Sequence, residues 1–411
     1  MIDGHESAAD TGRRNALVQL AGCWLGSMIG IPGAGLAKTG ATGGRWKLVS
    51  GEPAWQALEI ATGDTLILPA RIAGSDVHAI LDSGSASSIL GAGLAARLGL
   101  LGTEERTIRG SSDRAKVKLI RDVDLEVGGT AQRLPTAIVA DLDAVSSAFG
   151  REIDLILGLD TLSEHAVAVD FAGKRFAIAL SGSLKPASDW AALPLAYGAN
   201  RELLIAAAVA GLAPAPFIFD LGSSNALQLS SAYIDANHLL EGKARSTALL
   251  GGVEGVHETI AFTSDHIRLG GASVARVPTF AIERWLSTSA VGNIGFPVIS
   301  QFDMILDIKA GKVWLRPAPA EARLPMLKDR SGLGFATSAS ALTIMHVANG
   351  SPGARSGWKV GDSITAVNGH AIDSDYTRGA LWRWRYGAAG TVVALSDAAR
   401  TPRELRLADY Y

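Results

Sequence analysis

Short apolar runs broken by Gly, Asp and Ser dominate the chain from Glu52 to about Leu180. LILPARI, VHAIL, AKVKLI, VDLEV and AVAVDF alternate or stay apolar over short stretches, which is the signature of strands. Helical patches are confined to GLAARLG, after Asp82, and to a short stretch before Asp170. From about Leu193 to Pro317 the same kind of pattern returns as LLIAAAV, FIFDL, ALQL, ETIAF, HIRL and DMILDI. Many strands and few helices predict a mainly β protein, with an antiparallel, Greek-key or barrel-like unit present twice. The stretch from Pro317 to Ala322 (PAPAEA) reads as a linker. A different pattern follows. Gly332-Leu333-Gly334-Phe335 opens it, LTIMHVANG suits a strand, and SPGARSGWKVGDSITAVNG sets turn glycines around Val360 and Ile364. Tyr376 to Tyr386 suits a helix, and TVVAL with ELRLA a closing strand pair. The boundaries implied are 1–40, 52–182, 188–318 and 325–411.

The first forty residues have the order of an export signal: Arg13-Arg14, a Gly-rich apolar run, then small residues at Gly35-Leu36-Ala37. The paired arginines also resemble a twin-arginine signal. Leu20-Ala21-Gly22-Cys23 resembles a lipobox, which would put an acyl anchor on the only cysteine. Against it, the apolar run continues to Leu36. The expectation is an exported, periplasmic protein, with a lipoprotein anchored through Cys23 as the alternative. Any membrane contact would be through this segment alone.

Composition narrows the function classes. The 411 residues are 48% apolar and 19% charged, enough for two or three packed domains. A net charge of −2 without a basic run leaves nucleic-acid binding no electrostatic footprint. One cysteine excludes a disulfide framework and a thiolate zinc site. The eight histidines form no HExxH helix and read as ordinary surface or core residues. Neither a metal nor an organic cofactor is expected, and the oligomeric state stays open, with a monomer the working expectation.

The candidate chemistry lies in a repeat. Ala79-Ile80-Leu81-Asp82-Ser83-Gly84-Ser85 returns 138 residues later as Phe217-Ile218-Phe219-Asp220-Leu221-Gly222-Ser223. Gly158 follows Asp82 by 76 residues and Gly295 follows Asp220 by 75; twelve residues beyond each glycine come Asp170 and Asp307, which read as turn-formers. An Asp on an apolar strand is costly unless it is hydrogen-bonded or employed. Gly84 and Gly222 permit tight turns whose N–H groups face the carboxylate. Two such loops, brought together across an approximate two-fold axis, would place two carboxylates close enough to share one proton, separating their pKa values by roughly three units. Such a pair can activate a water for attack on a peptide carbonyl.

These residues resemble the aspartic proteases, whose hallmark is an apolar pair before Asp-Thr/Ser-Gly and a later apolar-apolar-Gly that closes a ψ-shaped loop. Ile80-Leu81-Asp82-Ser83-Gly84 with Ile156-Leu157-Gly158 matches throughout, and Ile218-Phe219-Asp220-Leu221-Gly222 with Asn293-Ile294-Gly295 matches in part. Each unit looks like a bacterial retropepsin-like lobe, and the tandem like a pepsin-like bilobed enzyme over about residues 52–318. The resemblance implies a dyad of Asp82 and Asp220, a bracing hydroxyl from Ser83, and hydroxyl bonds to the carboxylates from Ser85 and Ser223. It implies ψ-loop glycines at Gly158 and Gly295, and flaps around Gly110 and Ser111 in the first unit and Gly252 in the second. Leu221 departs from the family's Thr or Ser and removes half of the brace; Asn293 replaces an apolar residue.

The terminal region resembles a PDZ domain over most of residues 325–411. The glycines of Gly332-Leu333-Gly334-Phe335 would let successive N–H groups converge on a carboxylate, with Phe335 leading into the strand that receives a peptide. The chain's own end, Asp409-Tyr410-Tyr411, is a candidate ligand. Together these readings give an exported aspartic endopeptidase acting on peptide or protein substrates, whose PDZ domain recognises C-termini. The alternative, favoured by Leu221, is a catalytically silent bilobed peptide-binding scaffold. A serine protease is excluded by the lack of a nucleophile motif. In Trp382-Arg383-Trp384-Arg385, alternating faces fit packing and solvent better than nucleic acid.

Overall fold

A computed structural model describes residues 53–411 apart from 62–64, 101, 103, 110–113, 144, 147–151, 253–254, 378, 398 and 400–401. The protein is mainly β. Two eight-stranded sheets have one strand order. In the first it runs Glu59–Ala61, Thr65–Ile72, Ser75–Leu81, Leu155–Leu157, Ile89–Gly91, Thr130–Ala140, Arg114–Val127 and Glu104–Arg109. In the second it runs Ala196–Tyr197, Leu203–Val209, Ala215–Asp220, Gly292–Gly295, Leu227–Ser230, Ala272–Ile282, Gly255–Leu269 and Arg245–Gly252. In each, the strand ending at the motif Asp lies parallel to the strand ending at the later Gly: Leu81 opposes Leu157, and Asp220 opposes Gly295.

A six-stranded sheet joins the halves. Its central pair is His165–Asp170 against Phe302–Asp307, antiparallel, with Ala168 opposite Ile305. Every residue of both strands is buried, so this seam is core on both faces. One apolar cluster runs from Leu58 to Leu315 through both halves and includes the wholly buried Phe217 and Phe219. Full burial of each such side chain is worth about 1.5–3 kcal/mol. Asp170 and Asp307 cap turns: Asp170 accepts from Gly173 N–H (2.8 Å), and Asp307 from Ala310 N–H (3.0 Å) and from Gly182 N–H of the first half (2.7 Å).

Two strand boundaries differ from expectation. AKVKLI and VDLEV form one strand, Arg114–Val127, and ETIAF and HIRL form one, Gly255–Leu269. The charged pair between the first two reads as a break. In the fold Asp122 adopts φ +53° and the ladder resumes beyond it, with Val123 opposite Leu134.

The C-terminal region has its own core, centred on Leu333, Phe335, Ile344, Trp358, Tyr376 and Trp384. It forms a three-stranded sheet (Leu333–Thr337, Leu342–Val347, Ser363–Ile364) and a four-stranded one (His370–Ala371, Ala366–Val367, Val392–Ser396, Pro402–Arg406). The expected helix from Tyr376 to Tyr386 is instead a turn at 374–377 and a 3₁₀ helix, Leu381–Tyr386. Gly379, unfavourable inside a helix, lies at the interruption. The 3₁₀ turn stacks Trp384 on Phe335, ring centroids 6.2 Å apart, and directs Trp384 Nε1–H to the Tyr376 hydroxyl at 2.9 Å.

Candidate active site

The two Asp-Gly loops meet at the seam between the halves. Asp82 and Asp220 are both buried and hydrogen-bond each other. The approach is so close that each carboxyl rests on the opposite loop's glycine. A Cβ at Gly84 would lie 2.7 Å from Asp220 Oδ1, and one at Gly222 would lie 2.4 Å from the Asp82 carboxyl carbon. These glycines are therefore required by the neighbouring carboxyl as well as by their own turns.

Backbone amides hold each carboxyl. Asp82 Oδ1 accepts from Gly84 N–H (2.8 Å) and Ser85 N–H (3.1 Å); Asp220 Oδ1 accepts from Gly222 N–H (3.0 Å) and Ser223 N–H (3.1 Å). This corrects the role expected of the serine hydroxyls. Ser85 Oγ–H turns away to the Ser87 carbonyl at 2.8 Å, and Ser223 Oγ has no hydrogen-bond partner among the described residues. The tight turn presents the amide first, leaving the hydroxyl on its far side. Ser83 crosses between loops: its Oγ–H donates to the Phe219 carbonyl (2.7 Å) and accepts from Leu221 N–H (3.0 Å). Leu221 is wholly buried in the common apolar cluster and offers no hydroxyl in return.

The glycines behind the loops are set by close packing. A Cβ at Gly158 would stand 2.5 Å from the Ser87 carbonyl carbon, and one at Gly295 would stand 2.0 Å from the Asn225 carbonyl oxygen. Asp160 fastens the first of these crossings, accepting from Ser88 N–H (2.8 Å) and Ser88 Oγ–H (2.7 Å). Nothing in the repeat flags it, because Pro297 occupies the corresponding place in the second half.

Asn293, which the sequence marks only as a departure from an apolar position, is the most informative residue of the site. Asn293 Nδ2–H donates to Asp220 Oδ2 at 2.7 Å, whereas among the described residues the side-chain partner of the Asp82 carboxyl is the Asp220 carboxyl itself. The available signal was a polar residue in a short strand that is otherwise apolar, where an amide is costly without a partner. The consequence is electrostatic asymmetry. Burial, then the charge of Asp220, pushes the Asp82 carboxyl well above the usual carboxylate range, against the two amide bonds. Burial also raises Asp220, but Asn293, Gly222, Ser223 and the Asp82 carboxyl oppose the rise. The proton of the pair therefore belongs on Asp82 and the charge on Asp220.

Gly110 and Ser111 lie outside the described residues, as does the N-terminal segment with Cys23. Gly252 ends the strand Arg245–Gly252 and opposes Gly255 across the hairpin. That hairpin touches the C-terminal region. Thr247 Oγ1 is 3.0 Å from His346 Nε2, Ser246 Oγ–H donates to the Asn349 carbonyl (3.0 Å), and a Cβ at Gly334 would lie 3.0 Å from Leu249 Cδ1. In the Gly332-Leu333-Gly334-Phe335 loop the amides do not all converge on open space. Gly332 N–H faces Asp329 Oδ1 (3.4 Å), and Leu333 N–H donates to Ser331 Oγ (3.1 Å). The chain's own end lies beside this loop, since Tyr410 and Tyr411 line one cavity with it, but the Tyr411 main-chain oxygen accepts from Lys328 Nζ. Among the described residues no group of three His, Cys, Asp or Glu side chains could hold a metal, and no helix is long and apolar enough to cross a membrane.

Residues 68–161 match the family model described as aspartyl protease. An aspartic-protease-like domain thus lies in the first half, and the match reaches from within the strand Thr65–Ile72 to just beyond Gly158. No curated protein matches the chain.

Proposed function

We propose that the chain is a bilobed aspartic endopeptidase, exported through its N-terminal segment, in which Asp82 and Asp220 form one dyad and the C-terminal region serves as a PDZ-like peptide-binding module. The observation that carries this reading is the reciprocal seating of each carboxyl on the opposite loop's glycine, with Asn293 bonded to one carboxyl only.

In the proposed reaction Asp220 is the base and Asp82 the acid. A water bonded to Asp220 gives up a proton to it as the oxygen attacks the peptide carbonyl carbon, and Asp82 donates its proton to the carbonyl oxygen. The result is a neutral gem-diol, with the charge now on Asp82 and the water's proton on Asp220. Collapse breaks the C–N bond: the nitrogen takes the proton from Asp220, and a diol hydroxyl returns one to Asp82. Atoms and charge balance, and the dyad ends as it began. The pair titrates as a unit, so activity should follow a bell whose limbs belong to both carboxyls.

A second reading, peptide binding without hydrolysis, draws on Leu221 and the one-sided brace. One experiment separates them: cleavage of an unbiased peptide mixture from about pH 3 to about pH 8 by the wild type, Asp82→Asn and Asp220→Asn. Hydrolysis lost in both variants supports the dyad. No hydrolysis by the folded wild type favours the binding module, and hydrolysis surviving in either variant excludes a shared dyad.

A further inference from the structure

The second half's hairpin, Arg245–Gly252 returning as Gly255–Leu269, stands at the outer edge of its sheet, and Arg245–Gly252 has a partner strand on one side only. An outer strand draws no ladder bonds from its free edge, so whatever else fixes such a hairpin comes from outside the sheet. Here it comes from the C-terminal region. His346, buried near the end of Leu342–Val347, reaches both strands of the hairpin at once. Its Nε2 lies 3.0 Å from Thr247 Oγ1 on the outgoing strand, and its Nδ1 lies 3.0 Å from Glu258 Oε2 on the returning one. Glu258 opposes Leu249 in the ladder, and Thr247 precedes Leu249 by two residues, so the three share one face of the hairpin.

The partners fix how the ring is used. A carboxylate only accepts, so Nδ1 carries its hydrogen toward Glu258, and in the neutral ring Nε2 is left to accept from Thr247 Oγ–H. Both nitrogens thus face the hairpin. The C-terminal region does not depend on this contact for its own placement. At the hairpin's root Lys328 Nζ–H donates to Thr263 Oγ1 (3.1 Å), and Asp409 stands 3.6 Å from Arg276 Nη2 on the next strand. With the root anchored separately, His346 bears on the outer part of the hairpin. That part lies close to one candidate catalytic loop. Thr247 and Leu249 line a cavity of about 170 Å³ together with Ser224 and Asn225, four and five residues past Asp220.

We propose that His346 is a positioning residue for hydrolysis: it holds the second half's hairpin in the setting that receives the peptide. The C-terminal region is then part of the cleaving machinery as well as a binding module. The inference rests on the hydrolytic reading above and deepens it by naming what sets the hairpin beside the Asp220 loop. A hairpin held in advance spares an arriving peptide the ordering that a loose one would demand. Loss of the grip should therefore weaken binding and leave the step at the dyad almost unchanged.

The test compares full-length wild type, His346→Ala, His346→Gln and Glu258→Ala by peptide hydrolysis and by hydrogen exchange. His346→Ala should raise KM by about tenfold with kcat within about twofold of the wild type. Exchange at the amides of Arg245–Gly252 should quicken by about tenfold, while the seam strand His165–Asp170 stays as protected as before. His346→Gln keeps a polar group within reach of Thr247 and should recover most of the KM. Glu258 has an exposed side chain, so Glu258→Ala leaves the fold intact; it should move KM in the same direction, and less than additively when combined with His346→Ala. An unchanged KM, or a loss confined to kcat, would overturn the proposal. If the folded wild type cleaves nothing, the hydrolytic reading falls by itself, and retention of the same peptide mixture on immobilised protein decides the grip. Retention weakened by about tenfold in His346→Ala upholds it, and equal retention removes it.

Discussion

Asn293 turns a nearly symmetric pair of carboxyls into an ordered one, because its amide reaches only Asp220. A hydrogen bond to a charged group contributes about 1.5–3 kcal/mol, equivalent to about one to two pH units. Asn293→Leu removes the donor and destabilises ionised Asp220, raising its pKa. The acid limb of the kcat/KM profile should move up by about one to two pH units, and pH–rate measurement checks it. Stability carries a second signature. Asp82 has its folded pKa raised, so its favourable contribution is complete below the ordinary carboxylate range and is lost as pH rises through the folded value. Asp82→Asn keeps a neutral group, and its Oδ1 can still accept from Gly84 and Ser85. It should therefore raise Tm at neutral pH while leaving Tm near pH 4 little changed, a difference that calorimetry at the two pH values would reveal. The hydroxyl of Ser83 is the third residue-scale determinant. Ser83→Ala leaves the Phe219 carbonyl and Leu221 N–H unsatisfied in the core, a cost of about 1–3 kcal/mol per group. The midpoint of denaturant unfolding should fall accordingly.

Each half of the candidate site is one arrangement: a strand ending in Asp, a turn, and a returning strand that ends in a glycine placed beneath it. The spacing of Asp82 to Gly158 and of Asp220 to Gly295 made this legible, since landmarks that hold register twice imply elements that hold position twice. The two sheets with one strand order are the structural counterpart. Hydrophobic pattern alone does not disclose which atoms do the holding. Ser85 and Ser223 have the right residue type at the right offset, yet the turn uses their amides, and amides are common to all residues but proline. Asn293 escaped for the opposite reason, because motif matching treats a departure from an apolar consensus as a loss. The strand pairs read as four and found as two show the same limit, since a charged residue inside a long strand looks like a break. The close approach of the loops gives a sharp element-scale expectation. Gly222→Ala, whose Cβ would fall 2.4 Å from the Asp82 carboxyl carbon, must push the loops apart. Cleavage should drop by at least about a hundredfold, the lower end of what loss of one oxyanion donor costs, while far-UV circular dichroism stays near that of the wild type.

At the scale of the whole molecule there are two principal cores. One runs without interruption through both sheet-bearing halves; the other belongs to the C-terminal region. The halves also share the strand pair His165–Asp170 and Phe302–Asp307, which neither could bury alone. Unfolding should therefore show the two halves melting as one cooperative unit, with the C-terminal region free to open separately. Hydrogen exchange followed through a denaturant series would test this, and protection lost from the first half before the second would refute it. The division of parts within the larger unit has a further consequence for stoichiometry. The bracing hydroxyl comes from Ser83 in the first half and the ordering amide from Asn293 in the second. Two copies of the first half would lack the amide, and two copies of the second would lack the hydroxyl. Carrying both halves on one chain fixes their ratio at one to one, and shuts out the mismatched pairings that separate subunits would have to sort.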